Sequence, residues 1–525
     1  MSESVIRRVV SLIAPATLAA LALAALELLV AAPAVGRASG PAVAPLPARA
    51  AVGSAGPYTS HLPFAYARWP VRSLYGIEMA NIHPLGGLDQ MAASGSSWVR
   101  YVHFNWAAVE HTKGVYDWAS MRWVEDELTS AARRGLQVVG VVRFTPAWAQ
   151  KYPPYSCGPI KDDELDAFGD YLHALVQRFS GPPWGVKHWE IWNEPDIDRY
   201  LFDPVQMADS PYGCWGDHTD PYYGGGTYAE MLKAAYPRIK QADPQAQVLV
   251  GGLLLDCDPT DHDPLTSAGC ENTVNPNAAL FLEGILRGGG GPYFDGVAYH
   301  AYDYATTHAE AGCPPKGEFA YCSPKWGSSS AATGPVLLAK ARYIRDLLAR
   351  YGVAGKYLMN TESAVVDSTG ERLKANYVAQ AYAAAGALGL RANIWYRLLG
   401  WEGRNTALLS PDLKPLPAYT AFVASRAQLA GAAFLRELAP ADLGGSAGLT
   451  APITASVKGY AFDRGAGSGG GEVWVVWSLD QVTRTLTLPG VPARAYDVLG
   501  APLPAAQTLT LYPPGRLLAY VRWQP

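Results

Sequence analysis

From residue 73 onward the chain alternates between two patterns, and that alternation limits what it can fold into. Runs rich in β-branched and aromatic residues read as strands: SLYGIEMA (73–80), SWVRYVHF (97–104), QVVGVVRF (137–144), KHWEIWNE (187–194), QVLVGGLL (247–254), DGVAYHAY (295–302), KYLMNTES (356–363) and NIWYRLLG (393–400). Between several of them apolar residues recur at helical spacing, as in YDWASMRWVEDELTSAARRG (116–135), DELDAFGDYLHALVQRFS (163–180) and PVLLAKARYIRDLLARYG (335–352), each ending in or near Gly as a helix C-cap does. Strands that alternate with helices build a parallel sheet. Eight such units predict an α/β fold of the closed (β/α)8 TIM-barrel type over residues 61–430, with chemistry at the C-terminal ends of the strands. An open doubly wound sheet competes for the same alternation, but no glycine-rich phosphate loop follows the first run.

Beyond residue 430 helical periodicity stops. GYAFDR, EVWVVWSL, RTLTLPG, AYDVLG and LTLYPP are short strand-like runs separated by Gly, Pro and Asp, which predicts a small all-β, sandwich-like domain over 431–525. AYTAFVASRAQLAGAAFL (418–435) reads as the last barrel helix leading into it, and GAGSGGGE (465–472) as a hairpin connection. At the other end, Arg7 and Arg8 precede a long apolar run through about residue 35, interrupted by Pro15 and Glu27. That pattern is a signal peptide or an N-terminal membrane anchor; its length approaches the ~20 residues that span a bilayer. Residues 36–60, rich in Ala, Pro and Gly, read as a linker. The chain is therefore expected to be exported, either secreted or held to the membrane on its extracytoplasmic side.

The six cysteines agree with export. None forms a CxxC pair, and no His/Cys cluster has metal spacing, so neither a metal nor a cofactor is called for. All six fall after the third to sixth strand-like runs. Cys257–Cys270 and Cys313–Cys322 close short loops, leaving Cys157–Cys214; these three bridges are the expected set. The segments at 150–162, 200–226, 256–278 and 303–334 are long and are expected to wall a cleft. The formal net charge of −4 and the scattered basic residues give no phosphate-binding surface, which excludes nucleic acid as an expected partner. Tryptophan (16) and tyrosine (30) are abundant, as core packing or as flat platforms for sugar rings; composition does not separate the two.

The stretch HWEIWNEPD (188–196) places acids inside a strand that reads as buried. With side chains alternating faces, Glu190, Trp192 and Glu194 share parity, and Pro195 ends the strand next to Glu194. A carboxyl at the rim of an apolar pocket is disfavoured as an anion, so its pKa rises, which suits a general acid; a structural ion pair is the competing reading. Glu190 lies about 13 Å deeper at 3.3 Å per residue, and is expected to pair with Arg100 or Arg143. A second acid, Glu362, ends KYLMNTES on the seventh run. Two carboxyls on opposite sides of a barrel mouth match glycosidase chemistry, in which a pair about 5–5.5 Å apart retains anomeric configuration and a wider pair inverts it. DCDPTDHDP (256–264) is rich in oxygen ligands but lacks the 12-residue calcium-loop pattern, and reads as a solvated, crosslinked loop.

WNEP at the end of strand four and Glu at the end of strand seven resemble the clan A retaining glycoside hydrolases, most like family 39 and family 5-type glycosidases, over roughly residues 60–520. The resemblance implies that Glu194 is the acid/base, Glu362 the nucleophile and Asn193 a substrate contact. It implies that Arg100 holds the nucleophile ionised, and that His300 and Tyr302 of YHAY lie near it. For the aromatic floor of the sugar site it offers Trp395 by strand position and Trp401 in the following loop, with Trp148 of TPAW as a further platform. The implied substrate is an extracytoplasmic poly- or oligosaccharide with O-glycosidic, β-configured bonds. A non-catalytic glycan-binding barrel and a transglycosylase using the same carboxylates are the alternatives.

Overall fold

A computed structural model describes residues 74–524, apart from 202–211, 262–269, 271–276, 306–319, 330–333, 368–369, 445–456, 466–469, 480–481 and 513–516. Eight parallel strands close into a barrel: Tyr75–Glu78, Trp98–Asn105, Gln137–Arg143, His188–Asn193, Gln247–Leu253, Gly296–Ala305, Tyr357–Val366 and Ala392–Trp395. Neighbours pair in sequence order, the first strand also pairs with the eighth, and the sixth pairs with both the fifth and the seventh, so no edge is left. All eight coincide with the strand-like runs of the sequence. Each strand is followed by a helix, from Leu88–Ser94 after the first to Pro417–Leu429 after the eighth.

The sequence pattern explains which faces are buried. The helix Arg122–Arg133 buries Val124, Leu128 and Ala131, spaced by four and three, and leaves its charged face to water. Between strands and helices lies one continuous apolar layer, in which Phe104, Phe179 and Trp189 meet edge to face at 5.1–5.4 Å. The interior of the barrel holds a separate plug of Trp98, Val139, Leu249, Ala298, Met359 and Ile394. Each large side chain fully buried this way contributes roughly 1.5–3 kcal/mol. Above the plug, toward the C-terminal ends of the strands, the interior turns polar.

The chain past residue 430 forms antiparallel sheets. Ala433–Glu437, Val457–Asp463, Glu472–Ser478, Leu518–Arg522, Arg494–Asp497 and Pro502–Leu503 line up in that order as one sheet, and Arg484–Thr487 pairs with Thr508–Leu511 as another. Along Glu472–Ser478 the alternation is complete: Val473, Val475 and Trp477 join the core of the barrel, while Trp474 and Val476 pack with Leu486, Leu509 and Leu511 of the small sheet. Three strands there lie outside the runs picked from sequence, the short Pro502–Leu503 among them. Ala433–Glu437 begins inside the stretch read as the end of the last helix, which stops at Leu429 before Gly431 at φ 83°. Leu518–Arg522 takes a central place between two partners. Of the expected hairpin connection, residues 466–469 lie outside the described residues.

Cys157–Cys214 and Cys257–Cys270 are disulfides. Cys322 is also disulfide-bonded, and its expected partner Cys313 lies outside the described residues. Among the described residues no helix is long and apolar enough to cross a membrane; the candidate signal or anchor, 1–35, lies outside them. Of the four long segments, 150–162 is fully described and the other three in part.

Candidate active site

Arg100 of the second strand is the hub of the polar layer. Its side chain has 0% exposure, and it donates to acceptors from three other strands. Nη1 bonds Glu78 at 2.8 Å and also Glu362; Nη2 bonds Glu190 at 2.6 Å and Asn193, and Nε bonds Glu190 at 3.3 Å. Burial pulls the guanidinium toward losing its proton, but the carboxylates of Glu190, Glu362 and Glu78 outweigh that and keep it charged. Glu190 thus takes Arg100 rather than Arg143, which stacks on Phe144 at 4.5 Å.

Two strand irregularities aim the outer carboxyls. The simple alternation expected for HWEIWNEPD fails at Trp192, whose φ of 74° turns the indole outward against Phe168 and Trp215. Asn193 and Glu194 then both enter the mouth, although they are sequence neighbours, and Glu194 itself has φ 44°. On the seventh strand the register shifts against both neighbours between Asn360 and Ser363, a bulge that brings Glu362 rather than Thr361 inward.

Glu194 and Glu362 meet at His300. Its Nδ1 lies 2.8 Å from Glu194 Oε1 and 3.5 Å from Glu362 Oε2. Ligating atoms of Glu194, His300 and Glu362 all lie within 4.8 Å of one another. Tyr302 donates its hydroxyl to Glu362 Oε2. Burial raises the pKa of both carboxyls. Glu194 is pushed up further by the charges of Glu362 and Asp196; Glu362 is held back by Arg100 and by the Tyr302 hydrogen bond. Both carboxyls are therefore held above the usual carboxylate range, and only Glu362 has an arginine and a phenol donating to it. Burial, with Arg100 and Lys340, drives His300 well below the usual imidazole range, so the ring is neutral.

The spacing of Glu194, His300 and Glu362 is one that a small cation can bridge. Their ligating atoms also hydrogen-bond within the protein, Glu362 with Arg100 and Tyr302 and Glu194 with His300. The acidic loop after strand five is likewise engaged where it is described: Asp256 pairs with Lys325 at 2.6 Å, and Asp258 accepts from the backbone and hydroxyl of Thr260. Residues 262–264 of that loop lie outside the described residues.

The candidate aromatic platforms separate. Trp401 is half-buried and meets the rings of Tyr302 and Tyr396 at 5.8 Å each, beside Glu362. Trp395 corrects the reading by strand position. It is fully buried, its indole N–H donates to Thr406 O at 2.8 Å, and it faces Tyr377 of the helix Glu371–Ala387. Trp148 packs edge-on against Trp106 and donates to Glu110 O at 3.0 Å, toward the segment after strand two. Behind Trp401 lies a cavity of 490 Å3 lined by Met79, Asn81, Arg397, Glu402 and Asn405 among others. The site residues that sequence reasoning missed are Glu78 and Tyr396. Glu78 carried the same signal as Glu194, an acid at the end of a strand-like run.

In a closed parallel barrel, an acid just past strand four and another on strand seven meet at one buried histidine, and a buried arginine binds the second of them. By fold the chain is similar to solved glycoside hydrolases. A family 39 glycoside hydrolase from the gut symbiont Bacteroides cellulosilyticus superposes with TM-score 0.59 at 18% identity, over 87% of this chain and 82% of that one. A family 30 endoxylanase from Clostridium papyrosolvens gives 0.53 at 13% identity, over 88% and 98%. The family 30 subfamily 8 xylanase of Clostridium acetobutylicum gives 0.51 at 14%, over 85% and 95%. No family model matches the chain, and no curated protein matches it by sequence.

Proposed function

We propose that the chain is a retaining glycoside hydrolase that cleaves O-glycosidic, β-configured bonds of an extracytoplasmic poly- or oligosaccharide by double displacement. One observation carries the reading: carboxyl oxygens of Glu194 and Glu362 lie within 4.8 Å of each other. That separation suits direct attack by one carboxylate; an inverting pair stands about 6.5–9.5 Å apart to admit water.

Glu362, ionised under the donors Arg100 and Tyr302, attacks the anomeric carbon. Glu194, still protonated, gives its proton to the departing glycosidic oxygen, and a glycosyl ester forms on Glu362. Esterification removes the negative charge of Glu362 that had raised the pKa of Glu194. Glu194 then serves as the base that takes a proton from water as the ester is hydrolysed. Neutral His300 orients Glu194 and adds no charge that would discharge it early. Asn193, fixed by Arg100, reaches the sugar 2-hydroxyl, and Trp401 stacks on the sugar. The disulfides support export, since such bridges persist in oxidising compartments.

The test is hydrolysis of aryl β-glycosides and a polysaccharide panel by wild type, Glu194→Gln and Glu362→Gln. Each variant should fold and lose roughly a thousandfold or more in rate, about 4 kcal/mol of transition-state stabilisation. Full activity in either variant overturns the proposal.

A further inference from the structure

One buried cation near the site has no part in the double displacement as described. Lys340, on the helix Leu337–Arg350, is only 5% exposed. Its Nζ donates to Leu254 O at 2.6 Å, just past strand five, and to His300 O at 3.0 Å on strand six. The Leu254 peptide is held from its other side by Asp196, which accepts from Leu254 N at 2.9 Å and Leu255 N at 2.8 Å. Asp196 is two residues past Glu194, and His300 Nδ1 returns to Glu194 at 2.8 Å. The contacts form a closed ring: Glu194, Asp196, Leu254, Lys340, His300 and back to Glu194.

We infer that Lys340 is a positioning residue for Glu194: it locks the strand-five and strand-six ends that hold the proton donor, and sets a positive charge behind it. This rests on Glu194 being the acid/base. Burying an ammonium is costly, and a lysine that only filled space would be replaced without loss by an apolar residue. The groups that face Lys340 are Asp256, Asp196, Glu194 and Asp303, with the ring of Trp326 at 5.7 Å. Asp256 is already paired with Lys325, and Asp303 is taken up by Val336 N and the Tyr377 hydroxyl. Burial lowers the Lys340 pKa to about 8, against the pull of these carboxyls.

The experiment uses Lys340→Met, with Lys340→Gln as a second variant of similar volume should the first not fold. The probes are phenyl and 2,4-dinitrophenyl β-glycosides of the sugar that wild type cleaves fastest. Departure of phenol needs a proton from Glu194; departure of dinitrophenolate does not. Loss of the positioning residue should lower kcat/KM by about tenfold on the phenyl glycoside, within the range of general acid catalysis, and by less than about threefold on the dinitrophenyl one. Added to Glu194→Gln, it should cost nothing further on the phenyl glycoside, because both changes act through one group. Equal losses on both probes, or full additivity with Glu194→Gln, overturn the inference and leave the glycosidase reading standing. If Glu194→Gln itself shows no dependence on the leaving group, the acid/base assignment has failed instead.

Discussion

One nitrogen of Arg100, Nη1, donates both to Glu78 of the first strand and to Glu362 of the seventh. The guanidinium thus ties the nucleophile candidate to a second carboxylate with no exposed side chain between them. Arg100→Met removes the partner of three buried carboxyls and should destabilise the fold by about 3–5 kcal/mol, read by urea unfolding. Arg100→Lys keeps the charge but not the fork of donors. In that variant the Glu362 pKa should rise, so the acidic limb of the kcat/KM profile moves to higher pH. An unmoved limb would remove Arg100 from the ionisation of Glu362.

The proposed retention of configuration is checked through the cavity left by the candidate acid/base. Glu194→Ala with a dinitrophenyl glycoside should accumulate the glycosyl ester, and added azide should restore turnover. The product should be a glycosyl azide with the configuration of the substrate, identified by NMR. An azide of inverted configuration would exclude the two-step path.

Buried acids leave a signature in stability. Burial raises Glu194 above its unfolded value. The stability of its protonated form is fully present below the unfolded pKa and is lost as pH rises through the folded one. Glu194→Gln has no proton to lose. Its Tm should exceed that of wild type by a margin that widens as pH rises above the ordinary carboxyl value of about 4.3. A margin independent of pH would mean that Glu194 does not carry a raised pKa.

The three tryptophans should behave differently. Trp401→Ala should raise KM by about fivefold on a substrate that fills the mouth, consistent with about 1 kcal/mol of ring stacking, with little change in Tm. Trp395→Ala should instead cost about 3–5 kcal/mol of stability, as for a large core side chain. Trp148→Ala should lower Tm without a change in KM. A KM effect confined to Trp148 would move the sugar platform to the other side of the mouth.

The bridge Cys157–Cys214 sits directly under the segment that carries Asn193 and Glu194. Cys157 O accepts from Trp192 Nε1 at 2.8 Å and from Cys214 N at 3.0 Å, and Gly213 N donates to Asn193 O at 2.6 Å. A double Ser variant should lose about 2–4 kcal/mol of stability, and kcat with it, because Asn193 and Glu194 lose their support. An active variant with only a lowered Tm would limit the bridge to stability.

The barrel was legible because strand period and helix period alternate eight times, and the carboxyl pair because acids are rare at the ends of buried strands. What stayed hidden depends on contacts distant in sequence. The turn at Trp192 that sends Asn193 and Glu194 into one space is held by Trp215 and Cys157, and no local pattern announces it. Trp395 and Trp401 differ by six positions, yet one faces a helix and the other the mouth. Lys340 reads in sequence as one more charge on an amphipathic helix; its burial comes from the ends of strands five and six. The helix Glu371–Ala387 gave little amphipathic signal because nearly its whole surface is covered.

That covered helix sets a limit on how the protein can be divided. Its Gly386 meets Phe462 of the C-terminal sheet, and Arg522 reaches Gln428 of the last barrel helix at 2.6 Å. Cutting the gene near residue 430 would strip the cladding from two barrel helices and leave a sticky flank. A barrel-only fragment is therefore the wrong starting point for engineering.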